Sequence, residues 1–164
     1  MMAEARRAAA PTENVSGARV LVVEARYYEE IGEALWQGAR TALEAGGAVI
    51  ERVSVPGALE IPQAIAIGIE NAQRTGKPIE GAVALGCVIR GETSHYDIVA
   101  GESARALMDL ALKRAIPVGN GIRTVDTEAQ AIARAAHNRG DKGGDAARAA
   151  MSLIGLTRRL MGKG

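Results

Sequence analysis

Short apolar runs rich in β-branched residues alternate with segments of helical periodicity along most of this chain. The first run is Arg19 to Glu24, and the most apolar is Gly81 to Ile89. Continuously apolar runs of this length indicate strands buried on both faces, as in a parallel sheet covered by helices. Between the first two runs, one helical face collects Ile31, Leu35, Gly38 and Ala42.

The order of these segments predicts a single α/β domain. We predict strands over residues 19–24, 49–55, 81–89 and 117–122, with 49–55 near a sheet edge and 81–89 central. We predict helices over 29–45, about 62–74, 98–114, 127–136 and from Asp145 onwards. This order is typical of a doubly wound parallel sheet, and right-handed crossovers favour a flavodoxin-like strand order 2-1-3-4 in a three-layer αβα sandwich. The domain would span residues 18–164, after a flexible N-terminal arm over residues 1–17.

Composition excludes several classes of function. A net charge of +1 gives no reason to expect nucleic acid or an anionic membrane as a partner. A single cysteine, Cys87, rules out an internal disulfide and favours the reducing cytoplasm. The N-terminus lacks the apolar core of a secretory signal, and no apolar run approaches the ~20 residues of a membrane helix.

Polar and aromatic residues follow the predicted strands, where ligands bind in parallel α/β sheets. Tyr27 and Tyr28 follow the first strand, residues 56–62 the second, residues 90–97 the third, and Arg123-Thr124 the fourth. These positions include three of the four aromatic residues and one of the two histidines. This clustering is typical of a site for a planar ring.

The segment after the third strand has the residues of an anion site with a proton-transfer group. Gly91 permits a tight turn, and Thr93 and Ser94 place hydroxyl and backbone N–H groups at the start of the next helix, which favours phosphate. Histidine is the side chain best suited to accept and return a proton near neutral pH, so His95 is the candidate proton-transfer residue. The alternative is that Thr93 or Asp97 caps the helix and that His95 is a polar turn residue.

Two further residues have competing interpretations. Cys87 could be a nucleophile with His95 as its base, but its place in an apolar strand favours a small buried hydrophobe. Glu60 is either a first-turn acid favoured by the helix dipole or a buried acceptor for a ligand.

His95 and His137 share no metal-ligand spacing with cysteines or carboxylates, so we expect no metal.

A second polar cluster lies near the C-terminus. Its side chains could bind phosphate, or they could form a solvated helix end. Neither the dinucleotide nor the P-loop fingerprint is present. The cluster consists of Arg134, His137, Asn138, Arg139, Lys142 and Asp145.

Four motifs together resemble the lumazine synthase family of riboflavin biosynthesis. They are PGALEIP at residues 56–62, LGCVIRGETSHYD at 85–97, GNGI at 119–122 and DKGG at 141–144. The resemblance covers residues 17 to 160 in order and spacing. It implies condensation of 5-amino-6-ribitylaminouracil with 3,4-dihydroxy-2-butanone 4-phosphate to 6,7-dimethyl-8-ribityllumazine, phosphate and water, without a metal or organic cofactor.

The resemblance also implies contacts to the pyrimidine and ribityl groups. Tyr27 would stack on the pyrimidine, although Tyr28 makes that register uncertain by one residue. Glu60 would accept hydrogen bonds from ribityl hydroxyls, and Asn120 stands where many members have an aromatic residue that faces the substrate. The implied set is Tyr27, Ala58, Leu59, Glu60, Cys87, Val88, Ile89 and Asn120.

The phosphate and proton-transfer residues come from both polar clusters. Glu92 and Thr93 match the family's phosphate-binding turn, and Arg134 and Lys142 match its phosphate-binding cations. His95 matches its proton-transfer histidine. Imine formation and phosphate elimination both need proton transfer, which is chemistry that a histidine beside a phosphate site supplies.

The resemblance implies a homo-oligomer with active sites between subunits. Family members form pentamers, some of which assemble into a 60-subunit shell, and association with riboflavin synthase is a further expectation. The N-terminal arm would add a strand to a neighbouring sheet. The alternatives are a non-catalytic flavin- or lumazine-binding shell or pentamer protein, and a hydrolase that uses Cys87.

Overall fold

Four strands and five helices alternate in a computed structural model that describes residues 13–26, 28–90, 95–135 and 140–162. The strands are β1 (Arg19–Ala25), β2 (Val49–Val55), β3 (Gly81–Ile89) and β4 (Val118–Val125). The helices are α1 (Glu29–Ala45), α2 (Glu60–Arg74), α3 (His95–Arg114), α4 (Glu128–Ala135) and α5 (Lys142–Leu160).

The strands form one parallel sheet in the order β2-β1-β3-β4. This confirms the predicted order 2-1-3-4, with β3 central and β2 at an edge. The register places Glu24 of β1 beside Ser54 of β2 and Leu85 of β3. On the other side of β3, Cys87 lies beside Arg123 of β4.

Helices cover both faces of the sheet, as a buried parallel sheet requires. Side chains alternate along β1, so Val20 and Val22 pack with α1, α4 and α5, whereas Leu21 and Val23 pack with α2 and α3. The predicted inner face of α1 is buried along its length. The three-layer αβα sandwich is therefore confirmed.

The largest differences from the predicted boundaries, each of three residues, are at the end of β4 and at the starts of α3 and α5. Strand β4 continues to Val125 because it pairs with β3 up to Ile89, so Arg123 and Thr124 lie within the strand and do not follow it. Helix α3 begins at His95, not at residue 98. Helix α5 begins at Lys142, three residues before the predicted start.

The described part of the predicted N-terminal arm packs on the domain. Val15 is fully buried, and its N–H donates to the carbonyl of Gly46 at 2.9 Å. The N–H of Gly17 donates to Gly47 at 2.9 Å. Residues 13–17 are thus anchored on the turn between α1 and β2, which corrects the prediction of a flexible arm for these five residues. Residues 1–12 lie outside the described residues.

Helix α4 shows a variant of the predicted capping box. Oγ1 of Thr127 accepts from the N–H of Gln130 at 3.2 Å, as the motif predicts. The side chain of Gln130 reaches back one residue further, and its Oε1 accepts from the N–H of Asp126 at 3.0 Å. In the described ranges no helix is long and apolar enough to cross a bilayer.

Candidate active site

The start of α2 lies over the carboxyl end of β3. A Cβ atom built on Gly86 would be 3.5 Å from Cδ1 of Ile61 and 3.7 Å from Cβ of Ala25. Ala58 and Val88 belong to the same apolar cluster on this face. The structure therefore brings the predicted ring-binding segment 58–60 close to the end of β3.

A tight turn presents residues 58–60 at this edge. The N–H of Glu60 donates to the carbonyl of Gly57 at 3.1 Å, and the N–H of Ile61 donates to Ala58 at 3.2 Å. Ala58 is buried beneath the turn, Leu59 is exposed, and Glu60 is the half-buried first residue of α2. A carboxylate at this position is stabilised by the helix dipole, and both of its oxygens lie within 4 Å of a Cβ atom built on Gly57. Both interpretations of Glu60 are therefore compatible with its geometry.

The last residues of β3 extend past its neighbour β1. The pairing of β1 with β3 ends at Glu24 and Leu85, whereas β4 follows β3 to Ile89. Backbone groups of Val88 and Ile89 that face β1 are therefore outside the described ladder. Unpaired backbone groups at a strand end are suited to bind the polar edge of a planar ring.

Cys87 is a half-buried thiol with a cation nearby. Burial raises the pKa of the thiol to about 11, and the charge of Arg123 on the paired strand lowers it by a smaller amount. The thiol is protonated at neutral pH, so it lacks the thiolate that a nucleophile needs. The position favours the structural interpretation of Cys87 over a hydrolase nucleophile.

His95 is the exposed first residue of α3, with Asp97 also in the first turn. The imidazole thus belongs to the first turn of a 20-residue helix, where backbone N–H groups have no partner within the helix itself. The predicted phosphate turn with Glu92 and Thr93, and the predicted stacking residue Tyr27, lie outside the described residues.

The chain between α4 and α5 returns onto the end of α4. A Cβ atom on Gly140, two residues before Lys142, would overlap the backbone of Arg134, 2.7 Å from its Cα. Both cations are half-buried, and Nζ of Lys142 lies 3.9 Å from Oδ2 of Asp145. Residues 136–139, which include the predicted His137, Asn138 and Arg139, are outside the described ranges.

The DKGG motif, residues 141–144, forms the N-terminus of α5 and so determines the position of Lys142. Asp141 has a left-handed backbone with φ of 45° and caps α5, since its Oδ1 accepts from the N–H of Gly144 at 3.3 Å. A side chain at Gly38 or Gly144 would overlap the carboxylate of Asp141, and a side chain at Gly143 would overlap the backbone of Leu35. The glycines therefore let α1 and α5 approach each other closely, a structural role that the motif alone did not indicate.

Asn120 lies apart from the other predicted residues within one chain. It is exposed in β4 opposite Ala84, well before the carboxyl end of the strand. Its Oδ1 accepts from the N–H of Ile122 at 2.9 Å. The structure does not bring Asn120 together with segment 58–60 or the end of β3.

A buried charge cluster at the ends of β1 and β2 was not predicted from the sequence. Glu24 is 2% exposed, and its Oε1 lies 2.8 Å from Nε and Nη2 of Arg52 and 3.8 Å from Nη1 of Arg26. The available signal was an acid at the end of an otherwise apolar strand. No group of three or more potential metal ligands occurs within the described ranges.

The fold is that of a doubly wound α/β protein, a class that binds small ligands at the carboxyl edge of the parallel sheet, where Glu60, Val88 and Ile89 lie here. The model of the 6,7-dimethyl-8-ribityllumazine synthase family matches residues 17–158. The chain therefore belongs to the lumazine synthase family, which comprises transferases of riboflavin biosynthesis. This confirms the resemblance recognised from the four motifs.

Curated relatives match almost the whole chain. The 6,7-dimethyl-8-ribityllumazine synthase of Azorhizobium caulinodans is 58% identical over 159 residues, covering 97% of this chain and 98% of that relative. The enzyme of the same name from Methylocella silvestris is 64% identical over 147 residues, covering 90% of each chain. A 6,7-dimethyl-8-ribityllumazine synthase 1 of Rhodopseudomonas palustris is 57% identical over 160 residues, covering 97% and 98%.

Proposed function

We propose that this enzyme condenses 5-amino-6-ribitylaminouracil with 3,4-dihydroxy-2-butanone 4-phosphate to give 6,7-dimethyl-8-ribityllumazine, phosphate and water. The family match over residues 17–158 carries the proposal, because that range includes every predicted site residue. The single cysteine favours a cytoplasmic location.

The pyrimidine substrate would bind between the start of α2 and the end of β3. Backbone groups of Val88 and Ile89 that face β1 would pair with the polar edge of the ring, and Leu59 would give an apolar contact. The carboxylate of Glu60 would accept hydrogen bonds from the ribityl hydroxyls. Tyr27, for which Tyr28 is the alternative, would stack on the ring.

His95 would transfer protons during the covalent steps. The substrate's primary amine first adds to the ketone carbonyl, and the resulting carbinolamine loses water to give an imine. The hydroxyl-bearing carbon then loses a proton while the C–O bond to phosphate breaks, and the electron pair leaves with the phosphate. The enol that remains takes up a proton on its terminal carbon and becomes a ketone. Attack of the ribityl-bearing nitrogen on this ketone closes the ring, and loss of the hydroxyl group releases a second water. Each step requires a proton transfer of the kind that an imidazole performs, and proximity contributes much of the remaining rate.

Positive charge would stabilise the leaving phosphate. Arg134 is in the last turn of α4 and Lys142 begins α5, Gly140 between them packs on the backbone of Arg134, and both cations are half-buried. They lie in the layer of α1, α4 and α5, whereas His95 begins α3 in the opposite layer. This separation supports a site in which Glu92, Thr93 and His95 of one chain meet Arg134 and Lys142 of its neighbour.

The surface beside β4 supports assembly with a second copy of the chain. A groove of about 310 Å³ runs between α3 and α5 along β4, which is an open edge of the described sheet. Its apolar rim includes Leu112, which is 74% exposed, Met108 and Leu156, and Asn120 lies at its border. A neighbouring copy bound here would cover the apolar rim. Asn120 of one chain would then lie near the ligand bound by the neighbouring chain.

We propose a pentamer as the functional oligomer. Residues 1–12 would add a strand to a neighbouring sheet, as an arm that precedes the domain of residues 18–164. A 60-subunit shell of twelve pentamers and an association with riboflavin synthase are further arrangements that family membership supports.

The reaction is tested by mixing purified protein with both substrates and following the absorbance and green fluorescence of the lumazine. Reactions with either substrate alone, and with both substrates but no protein, are the controls. Turnover above the uncatalysed rate is the expected result. A protein that binds the lumazine or a flavin without turnover would instead be the non-catalytic binding protein.

A further inference from the structure

Glu24 is the centre of a charge cluster that joins the ends of β1 and β2. Its Oε1 accepts hydrogen bonds from Nε of Arg52 at 2.8 Å and from Oγ of Ser54 at 3.1 Å. Both donors lie on β2, within four residues before Pro56. The contact therefore attaches the start of segment 56–60, which is part of the proposed pyrimidine site, to β1.

Arg52 is held on two sides. Its guanidinium lies 4.1 Å from the centre of the Trp36 ring of α1 while it pairs with Glu24. A guanidinium between a buried carboxylate and an aromatic face has little freedom, because the cation–π contact and the two nitrogens that share Oε1 of Glu24 restrict the same planar group. The end of β2 is thus attached to β1 through Glu24 and to α1 through Trp36.

Arg26 extends the cluster to the start of α1. Its Nη2 lies 3.1 Å from Oε2 of Glu29 and 2.9 Å from Oε2 of Glu33. The pKa of Glu33 is lowered, most by a hydrogen bond from Gln37 and less by a hydrogen bond from Arg26. The Glu33 carboxylate that pairs with Arg26 is therefore ionised. Two guanidinium groups therefore face three carboxylates, and the cluster links β1, β2 and α1.

The cluster does not satisfy all of its buried polar atoms. Oε2 of Glu24 and Nε of Arg26 are buried and have no hydrogen-bond partner among the described residues. Nε of Arg26 faces Gly32, at 3.4 Å from a Cβ built there, which has no acceptor side chain. A buried carboxylate oxygen without a partner costs stability. A cluster that only stabilised the fold would be expected to pair both oxygens.

We infer that Glu24 is a positioning residue for the pyrimidine half of the proposed site. Through Arg52 and Ser54 it sets where β2 ends, and so where Leu59 and Glu60 lie relative to the end of β3. Glu24 does not contact the ligand in this arrangement. The inference rests on the proposed function, because it assigns segment 56–60 to the pyrimidine substrate.

The chain contains a control pair between the same two strands, on the amino-terminal side of Arg52. Arg19 of β1 pairs with Glu51 of β2 at 3.2 Å, and both side chains are partly exposed. This pair joins the first residue of β1 to the third residue of β2, and within the described part of the chain Glu51 makes no hydrogen bond or ion pair with Glu24. Removing it tests the effect of losing one charge pair between these strands without altering the start of segment 56–60.

The experiment compares Glu24→Gln and Glu51→Gln with the wild-type enzyme, varying each substrate in turn. For Glu24→Gln we expect KM for the ribitylaminouracil to rise about tenfold, a loss of about 1.4 kcal/mol of binding. KM for the butanone phosphate should change less than about twofold, since the phosphate residues lie elsewhere. Glu51→Gln should leave both values unchanged.

Several outcomes would overturn the inference. Equal increases in both KM values, or a lower Tm with unchanged KM values, would make Glu24 a structural residue only. If Glu24→Gln does not fold, Ser54→Ala removes one of its hydrogen bonds and should raise the same KM by a smaller factor; an unchanged KM in that variant would contradict the inference. Absence of turnover in the wild-type enzyme would instead refute the proposed function, and this inference with it.

Discussion

The backbone of Gly38 lies directly against the carboxylate of Asp141, so that a side chain at position 38 would overlap Oδ1. Gly143 is equally close to the backbone of Leu35. Helices α1 and α5 therefore approach each other closely at this point, with the carboxylate of Asp141 packed directly on the backbone of α1. The contact supports the left-handed conformation of Asp141 and determines where Lys142 begins α5.

Substitution of Gly38 by alanine tests this joint. The added methyl group must displace Asp141, so we expect the free energy of unfolding to fall by about 1–3 kcal/mol. Gly101→Ala is the matched control, because a Cβ at this helical position in α3 would meet no atom within 4 Å. That variant should gain about 0.5–1 kcal/mol from helix propensity. Urea unfolding measures both, and equal effects would contradict the close contact.

Lys142→Ala should weaken binding of the phosphate substrate. Loss of a charge-assisted contact of about 1.5 kcal/mol corresponds to a rise of about tenfold in KM for the butanone phosphate, with little change for the pyrimidine. Inhibition by inorganic phosphate should weaken in parallel. Lys113→Ala removes an exposed cation from the last turn of α3 and serves as the control. Similar kinetics for the two variants would remove Lys142 from the phosphate site.

His95→Ala should lower kcat while leaving the fold and the assembly unchanged. General acid–base catalysis contributes about 10²–10⁴-fold, and a loss in this range or smaller is expected because proximity supplies part of the rate. His95 is exposed, so Tm should not change. Steady-state rates and thermal unfolding measure these quantities. An unchanged kcat would exclude His95 from proton transfer.

The thiol of Cys87 should be unreactive in the native protein and dispensable for turnover. Its pKa is raised from 9.0 to about 11 by burial, so the folded state binds this proton more tightly than the unfolded state. The resulting stability is fully present below pH 9 and is lost as pH rises from 9 to 11. Cys87→Ala should keep full activity and lose less stability than wild type over that range. Fast alkylation of the native thiol at neutral pH, or an inactive variant, would contradict this.

Leu112→Glu should disrupt the oligomer. The substitution places a charge on the apolar rim of the groove beside β4, and a neighbour seated there would have to desolvate it. Light scattering should show a smaller mass, and turnover should fall if sites lie between subunits. Ile67→Glu is the control, since Ile67 on α2 is 70% exposed and lies outside that groove. An unchanged mass for Leu112→Glu would remove this surface from the interface.

Elements with strong local signals were predicted to the residue. The bounds of β2 and β3 agree with prediction, and α1 ends where Gly46-Gly47 stops the helix. Their periodicity and terminators are properties of consecutive residues. The positions of segment 58–60 and the end of β3 at one edge followed from strand order, because parallel strands place their carboxyl ends together.

Two boundaries could not be predicted from local pattern. Gly143 and Gly144 resemble helix breakers, yet they lie in the first turn of α5 because α1 packs against them. Arg123 and Thr124 are typical of a loop, yet pairing with Cys87 and Val88 extends β4 through them. In both cases a contact with a distant segment outweighs local propensity.

The amino-acid sequence by itself determined the alternation of strands and helices, their order in the sheet and the family motifs at the strand ends. Only the tertiary structure paired Glu24 with Arg52, which is 28 residues away, and placed Gly38 against Asp141. The physical reason is that periodicity and turn chemistry act between near neighbours in the chain. Which distant side chains meet is decided by how the layers pack, and the charge cluster and the helix joint both arise from that packing.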